Sequence, residues 1–230
     1  MGKTRVTRKQ LLKEPDEFIT LTGKAVLFFR THRKPITIGV IGFFVVIVGL
    51  AAHRYLSGRW ENAASLALQK SVSQYEKAQA DGQSPDQALS AIEADMESLL
   101  KRYGGQTSGH LGRLFYADAM LSAGRFEEAL ILYRDTKGHF DATSFFYYRI
   151  LESMAQAHLA LRQNDEAATM LQQVADGTGA GMADAALFQL GLIYKADGDT
   201  DRSRAAFQSL TEKYPDSPYV DLIDDQIQVG

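Results

Sequence analysis

The groups in this chain that could do covalent or metal chemistry are few, and their spacing does not bring them together. The five histidines, His32, His53, His110, His139 and His158, are isolated. No two share a helix face with a carboxylate at the one-turn spacing a zinc site needs. Acid-rich stretches at 197–201 and 221–225 lack the alternating ligands of a calcium loop and read as solvated faces or helix caps. The run Gly177-Thr178-Gly179-Ala180-Gly181 has the glycine content of a phosphate loop. It follows a helical pattern instead of a strand and lacks the final glycine of the dinucleotide fingerprint, so it reads as a connector. No nucleophile elbow occurs. With no cysteine, disulfides, zinc knuckles and thiolate catalysis are excluded. The sequence therefore predicts a non-enzyme with no metal, no cofactor and no small-molecule substrate.

What remains is contact chemistry, and charge shows how it is laid out. Residues 1–34 hold nine Lys or Arg against three acids, a net of +6, whereas residues 53–230 sum to −9. An acidic body argues against nucleic acid as a partner. Between the two lies Ile36 to Ala52, seventeen residues without a charge, eleven of them Ile, Val, Leu or Phe. At ~1.5 Å per residue the run spans about 26 Å, and carried through Tyr55 and Leu56 it reaches the ~30 Å of a bilayer core. Eleven such residues favour insertion by about 3–7 kcal/mol. A transmembrane helix over 36–56 is expected, with Arg54 snorkelling outward and Tyr55 and Trp60 suited to the interface. Gly49-Leu50-Ala51 would pass as a signal-peptidase site, but the 35 residues before the run favour an uncleaved anchor.

The basic flank sets the expected orientation: N-terminus cytoplasmic, C-terminal domain outside. Residues 1–35 read as a basic cytoplasmic arm. Within it Phe18, Leu21, Ala25, Phe28 and Phe29 recur at helical spacing with Lys24, Arg30 and Arg33 on other faces, which suits an amphipathic helix on an anionic leaflet. Gly39, Gly42 and Gly49 fall within about 80° of helix arc at 3.6 residues per turn, a stripe where a partner membrane helix could approach.

Residues 57–230 read as all-α. Helices are expected at 60–80, 84–103, 108–123, 125–137, 142–162, 164–176, 183–197, 200–213 and 217–227. Asp81-Gly82, Gly104-Gly105, Gly124 and Gly198 serve as stops, and Ser84-Pro85 and Ser217-Pro218 as starts. The helices pair, and the pairs resemble the tetratricopeptide motif. The final unit is clearest: Leu190-Gly191, Tyr194, Gly198, Phe207 and Pro215, with Ser203 where the motif has Ala. The unit before it offers Ala155, Ala167 and Leu171; an earlier one offers Ala117, Gly124, Phe126, Ala129 and Tyr133. Ala129, Ala167 and Ser203 lie 38 and 36 residues apart, slightly longer than the ~34 of the motif. A degenerate unit over 60–103, with Ala88 and Ile92, caps the array. In a solenoid of such hairpins the first helices line a concave face. By register that face carries Asp118, Arg149, Glu152, Gln156, Phe188, Leu192 and Lys195. The cluster Phe140, Phe145, Phe146, Tyr147 and Tyr148 is either a second contact surface or packing beneath the linker at 138–144.

Ala25-Val26-Leu27-Phe28-Phe29-Arg30, the apolar span, and Arg59-Trp60-Glu61-Asn62-Ala63-Ala64-Ser65-Leu66-Ala67 together resemble the ancillary SecYEG translocon subunit (YfgM-like) family. The basic arm is longer than that family's, and Ser203 departs from its repeat pattern. The resemblance implies a single-pass bacterial inner-membrane protein with a periplasmic repeat domain. It would act as a co-chaperone or adaptor, with SecYEG, periplasmic chaperones and emerging secretory chains as partners. A second function class stays open, a structural scaffold for outer-membrane protein insertion or cell division. The ending Lys213-Tyr214-Pro215-Asp216-Ser217-Pro218-Tyr219 also occurs in repeat proteins of that kind.

Overall fold

A computed structural model describes the backbone of residues 17–177 and 181–228 and the side chains of 22–177 and 181–223. The first sixteen residues of the basic arm, the side chains of Phe18 and Leu21, the centre of the Gly177–Gly181 run and the side chains of Asp224 and Asp225 lie outside it. Two compact units divide at Gly58/Arg59.

In the first unit, α1 (Glu17–Thr31) and α2 (Arg33–Ala80) are separated by His32 alone. Pro35 has no N–H to give the Thr31 carbonyl, so the helical ladder lapses there. It resumes through His32 N to Phe28 O at 2.9 Å and Ile36 N to His32 O at 3.0 Å. One stretch of α2 is long and apolar enough to cross a membrane, and none of it is buried within the protein. The sequence reads two helices here, over 36–56 and 60–80, whereas the single helix α2 covers both ranges in 48 residues. Ser57 and Gly58 are weak helix formers but leave every backbone bond intact, and no proline interrupts the segment.

In the second unit every described element is a helix. The C-terminal part of α2 is followed by α3 (Pro85–Tyr103), α4 (Thr107–Ser122), α5 (Phe126–Lys137), α6 (Phe145–Ala160), α7 (Asn164–Ala175), α8 (Ala183–Ala196), α9 (Thr200–Lys213) and α10 (Pro218–Gln228). Local chemistry sets these ends. Ser84 and Gln87 form a reciprocal capping box ahead of Pro85, and Ser144 caps α6. The expected start of α6 at 142 moves to Phe145 because Asp141 accepts from Thr143 N at 2.8 Å, closing a turn first.

From α3 onward each helix packs against the next, α4 also touches α6, and α8 also touches α10. Four hairpin turns share one closure, in which a residue in the left-handed region ends the first helix: Gly82 (φ 78°), Gly124 (φ 79°), Arg162 (φ 58°) and Gly198 (φ 79°). Each gives its N–H to a carbonyl three residues back, and the next N–H reaches five back, as in Arg125 N to Met120 O at 2.9 Å and Gln163 N to His158 O at 2.9 Å. Seven residues before these turns stand Tyr75, Ala117, Ala155 and Gly191, all buried. One core gathers Ile92, Met96, Ala117, Ala129, Tyr133 and Ile150; a second gathers Leu151, Ala155, Ala167, Leu171, Leu190 and Phe207. Met96, Ile150 and Leu151 join these cores without having been predicted as repeat positions.

Candidate functional site

The hairpin joints position the surface. In the last unit Gly191 lies directly under the Phe207 ring, where an added Cβ would come within 2.3 Å of Cε1. Ser203, in the alanine position, donates its hydroxyl to the Gly191 carbonyl at 2.8 Å, so the departure from the motif adds a buried hydrogen bond. Tyr194 carries the Arg202 guanidinium over its ring at 4.5 Å, and Arg202 is held by Asp199 at 2.6 Å. Pro215 follows the end of α9 at Lys213. Ala117 and Ala129, like Ala155 and Ala167, are fully buried where the helices of the two earlier hairpins face each other.

On that frame Asp118 of α4 meets Arg149 and Glu152 of α6. Arg149 Nη2 stands 3.9 Å from Asp118 Oδ2, and Nη1 stands 3.7 Å from Glu152 Oε2. Two residues outside the predicted surface set, Tyr133 (predicted only as a repeat position) and Ser153, complete the network. Tyr133, fully buried in α5, donates to Asp118 Oδ1 at 2.5 Å, and Ser153 accepts from Arg149 Nη1 at 2.6 Å and donates to Asp118 at 3.4 Å. Burial, and then the Asp118 charge, push the Tyr133 phenol well above its ordinary range, so it remains a donor. Asp118 therefore links three helices while a third of its side chain stays open to solvent. A buried tyrosine hydroxyl needs a partner, and Asp118, near the end of the first helix in the same hairpin, was the available signal.

The other predicted surface residues are placed differently. Gln156 and Lys195 are exposed and Leu192 is half-buried. Phe188 is shared between surface and core: its ring stacks on Tyr219 of α10 at 5.2 Å and tilts against Phe207 at 6.0 Å. Gly39, Gly42 and Gly49 of α2 have open space around them, and a Cβ added at any of the three would meet nothing within 4 Å. In the aromatic cluster Tyr148 is buried, Phe140 tilts against Phe146 at 5.1 Å, and Phe145 stays 55% exposed. The cluster is thus partly packing and partly surface.

The sequence reading also missed a joint at the start of α4, whose cap residue Gln106 makes no side-chain bond. Glu61, in α2, reaches across to accept from Thr107 N at 2.9 Å, Ser108 N at 2.8 Å and Ser108 Oγ at 2.5 Å. Those bonds, the Ser108 hydroxyl foremost, hold the Glu61 carboxyl below its ordinary range. Forty-six residues separate the partners, so no local pattern announces the contact. Among the described residues no three His, Asp or Glu side chains form a group able to hold a metal ion.

Hairpins of this size, closed by a left-handed turn over small buried residues, define a tetratricopeptide-like helical array. Residues 185–217 match the tetratricopeptide repeat family model. The segment is the last hairpin, α8 to α9, with the residues leading into α10. No curated protein matches the chain. Solved structures similar to it include two crystal structures of the nearly identical TPR-like repeats of a kinesin light chain candidate from Podosopora anserina. One has a TM-score of 0.54 and 17% identity, covering 66% of this chain and 76% of that one. The other has a TM-score of 0.52 and 18% identity over 64% and 76%. A tetratricopeptide repeat protein from Parabacteroides merdae is similar with a TM-score of 0.53, at 15% identity over 66% and 56%. At these identities the likeness is one of fold.

Proposed function

We propose that this chain is a membrane-anchored interaction scaffold, non-catalytic, whose repeat domain binds protein partners along the first helices of its hairpins. The observation that carries the reading is the Asp118–Arg149–Glu152 network, which joins two hairpins and leaves its charged groups partly open. Network members already fixed by Tyr133 and Ser153 lose little side-chain freedom when a partner arrives, which favours binding. Gln156 and Leu192 continue the surface by register, with exposed polar and half-buried apolar character respectively.

The finer reading places the span 36–56 in a bacterial inner membrane with the N-terminus cytoplasmic and residues 57–230 periplasmic. There the domain serves as co-chaperone or adaptor at the SecYEG translocon, meeting emerging secretory chains and periplasmic chaperones. Support comes from the apolar stretch of α2, the basic residues before it and the family resemblance of the first third of the chain. A tether raises the local concentration of partner at the channel exit without any new contact.

The test is photocrosslinking in native membranes from Gln156 and Leu192, with a second set from the Gly39, Gly42 and Gly49 face. Adducts with secretory chains from the first set and translocon subunits from the second support the reading. Adducts confined to outer-membrane assembly or division proteins replace it with an envelope scaffold. A C-terminal tag cleaved by protease only from the cytosolic side rejects the orientation.

A further inference from the structure

The end of the repeat domain at which the chain enters from the apolar segment carries a patch that the partner-binding reading does not use. Trp60, the single tryptophan of the chain, is half exposed. Its ring meets Tyr103 edge-on at 5.8 Å. Tyr103 closes α3, whose last turn carries Lys101 and Arg102, both exposed. Beside them, Ala63, Ala67, Leu99, Arg102 and Tyr103, with the polar Lys70, Asp95 and Ser98, line a groove between α2 and α3.

Two acids of this region are already engaged, and a third, the exposed Glu97, stands one turn before Lys101 on α3. Glu61 holds the start of α4, and Asp95 is paired with Lys70 at 2.7 Å. Lys101 and Arg102 are therefore unopposed by those two carboxylates. An amphipathic aromatic pair flanked by cations is the composition of a bilayer interface, where indole and phenol rings sit at headgroup level and cations meet lipid phosphates. Position agrees, since Trp60 follows Ala52 by eight residues along the chain. That connection confines it to the neighbourhood of the bilayer surface.

We propose that Trp60, Tyr103, Lys101 and Arg102 form a membrane-seating face of the repeat domain that takes anionic phospholipid headgroups. The proposal rests on residues 36–56 spanning the bilayer. Seating would hold the domain close to the membrane and restrict the directions from which its partner surface is reached.

Full-length chain reconstituted into phosphatidylcholine nanodiscs, with and without phosphatidylglycerol, tests it through Trp60 fluorescence and quenching by lipids carrying a headgroup nitroxide. The expected result is blue-shifted emission with stronger quenching when phosphatidylglycerol is present. Each cation near an anionic surface is worth about 1 kcal/mol, about fivefold in population. Lys101→Gln and Arg102→Gln should each weaken the phosphatidylglycerol-dependent quenching by about that factor. Lys213→Gln, at the end of α9, should leave it unchanged. Quenching that is equal in both lipids, or indifferent to Lys101→Gln and Arg102→Gln, overturns the proposal. Vesicle flotation separates the two readings: a chain that fails to float overturns the membrane span as well, whereas a floating chain with lipid-insensitive Trp60 overturns the seating face alone.

Discussion

The hairpins at the two ends of the repeat domain turn by one device and pack by two. Gly82 between α2 and α3 and Gly198 between α8 and α9 have the same left-handed geometry and the same pair of closing hydrogen bonds. Seven residues before the turn, however, the last hairpin has Gly191 and the first has Tyr75. Glycine lets the backbones of α8 and α9 approach closely with the Phe207 ring between them. At the N-terminal end the tyrosine is buried with its ring meeting Phe115 of α4 edge-on at 5.5 Å, and α2 and α3 are bridged on their flank by Lys70–Asp95 and by Gln74 to the Ala91 carbonyl. A turn alone thus specifies a hairpin; the residue one helical stretch earlier decides how tightly it closes. The family model matches the tight hairpin, whose small and aromatic positions are in place.

If Tyr75 supplies the bulk that the first hairpin lacks in backbone contact, removing it should cost most. Tyr75→Ala is expected to lower stability by about 3–5 kcal/mol, as for buried aromatic truncations generally. Denaturant unfolding of the full chain in detergent measures this, and a loss below about 1 kcal/mol would mean the joint does not depend on that ring. The converse change at the other end overpacks. Gly191→Ala gains about 1 kcal/mol of helix propensity but drives a Cβ into the Phe207 ring, for a net loss of about 1–2 kcal/mol. Adding Phe207→Leu recreates the Ala155–Leu171 pairing of the middle hairpin and should recover part of that loss, so the double-mutant cycle would be strongly non-additive.

The next effect concerns how the first hairpin is joined to the second. Glu61→Gln removes a charged acceptor from three donors at the start of α4 and should cost about 1 kcal/mol at neutral pH. Because its folded carboxyl titrates lower than the unfolded one, this stabilisation is present above the unfolded carboxylate range and lost as pH falls through the folded value. In the Gln variant, stability should therefore depend less on pH in the acid range.

A milder pH effect lies beside it. His110 stacks on His139 at 3.9 Å, next to Arg113, which is itself paired with Asp135. Burial first, then His139 and Arg113, hold the His110 imidazole below its ordinary range, against smaller opposing pulls from Asp135 and Glu61. The unfolded chain then binds the proton more readily, so this contribution is complete above about pH 6.5 and declines below it. His110→Gln should flatten the stability profile in that window and leave the carboxylate range as it was. An unchanged profile below about pH 6.5, above the carboxylate range, would remove the histidine pair from the account.

Much of this architecture was legible because it is encoded locally. Ser84-Pro85 and Ser217-Pro218 mark helix starts within a residue of where they fall, and Ala129, Ala167 and Ser203 recur 38 and 36 residues apart, slightly longer than the repeat's ~34. The unread parts depend on partners distant in sequence or on weak signals. Glu61 caps a helix 46 residues away. Tyr219 covers Phe188 from the next helix, which turns a predicted surface residue into a shared one. The unbroken α2 lacks any residue strong enough to stop it between span and domain.

Arg162 offers the smallest and most direct test of the hairpin comparison. It stands seven residues after Ala155, where the corresponding position is Gly82, Gly124 or Gly198 in the other turns, and takes a φ of 58°. An L-residue pays about 1–2 kcal/mol in that region, while replacing it by glycine releases unfolded-chain entropy worth about 0.4–1 kcal/mol in the opposite sense. Arg162→Gly should therefore stabilise the domain by roughly 0.5 kcal/mol, raising the unfolding midpoint by about 1–2 °C. Gly124→Ala and Gly198→Ala carry the mirror expectation, a loss of about 1 kcal/mol each, since both must place a Cβ in a conformation that only glycine adopts freely. If Arg162→Gly destabilises instead, the arginine side chain contributes contacts that outweigh its backbone strain, and the turns are not equivalent.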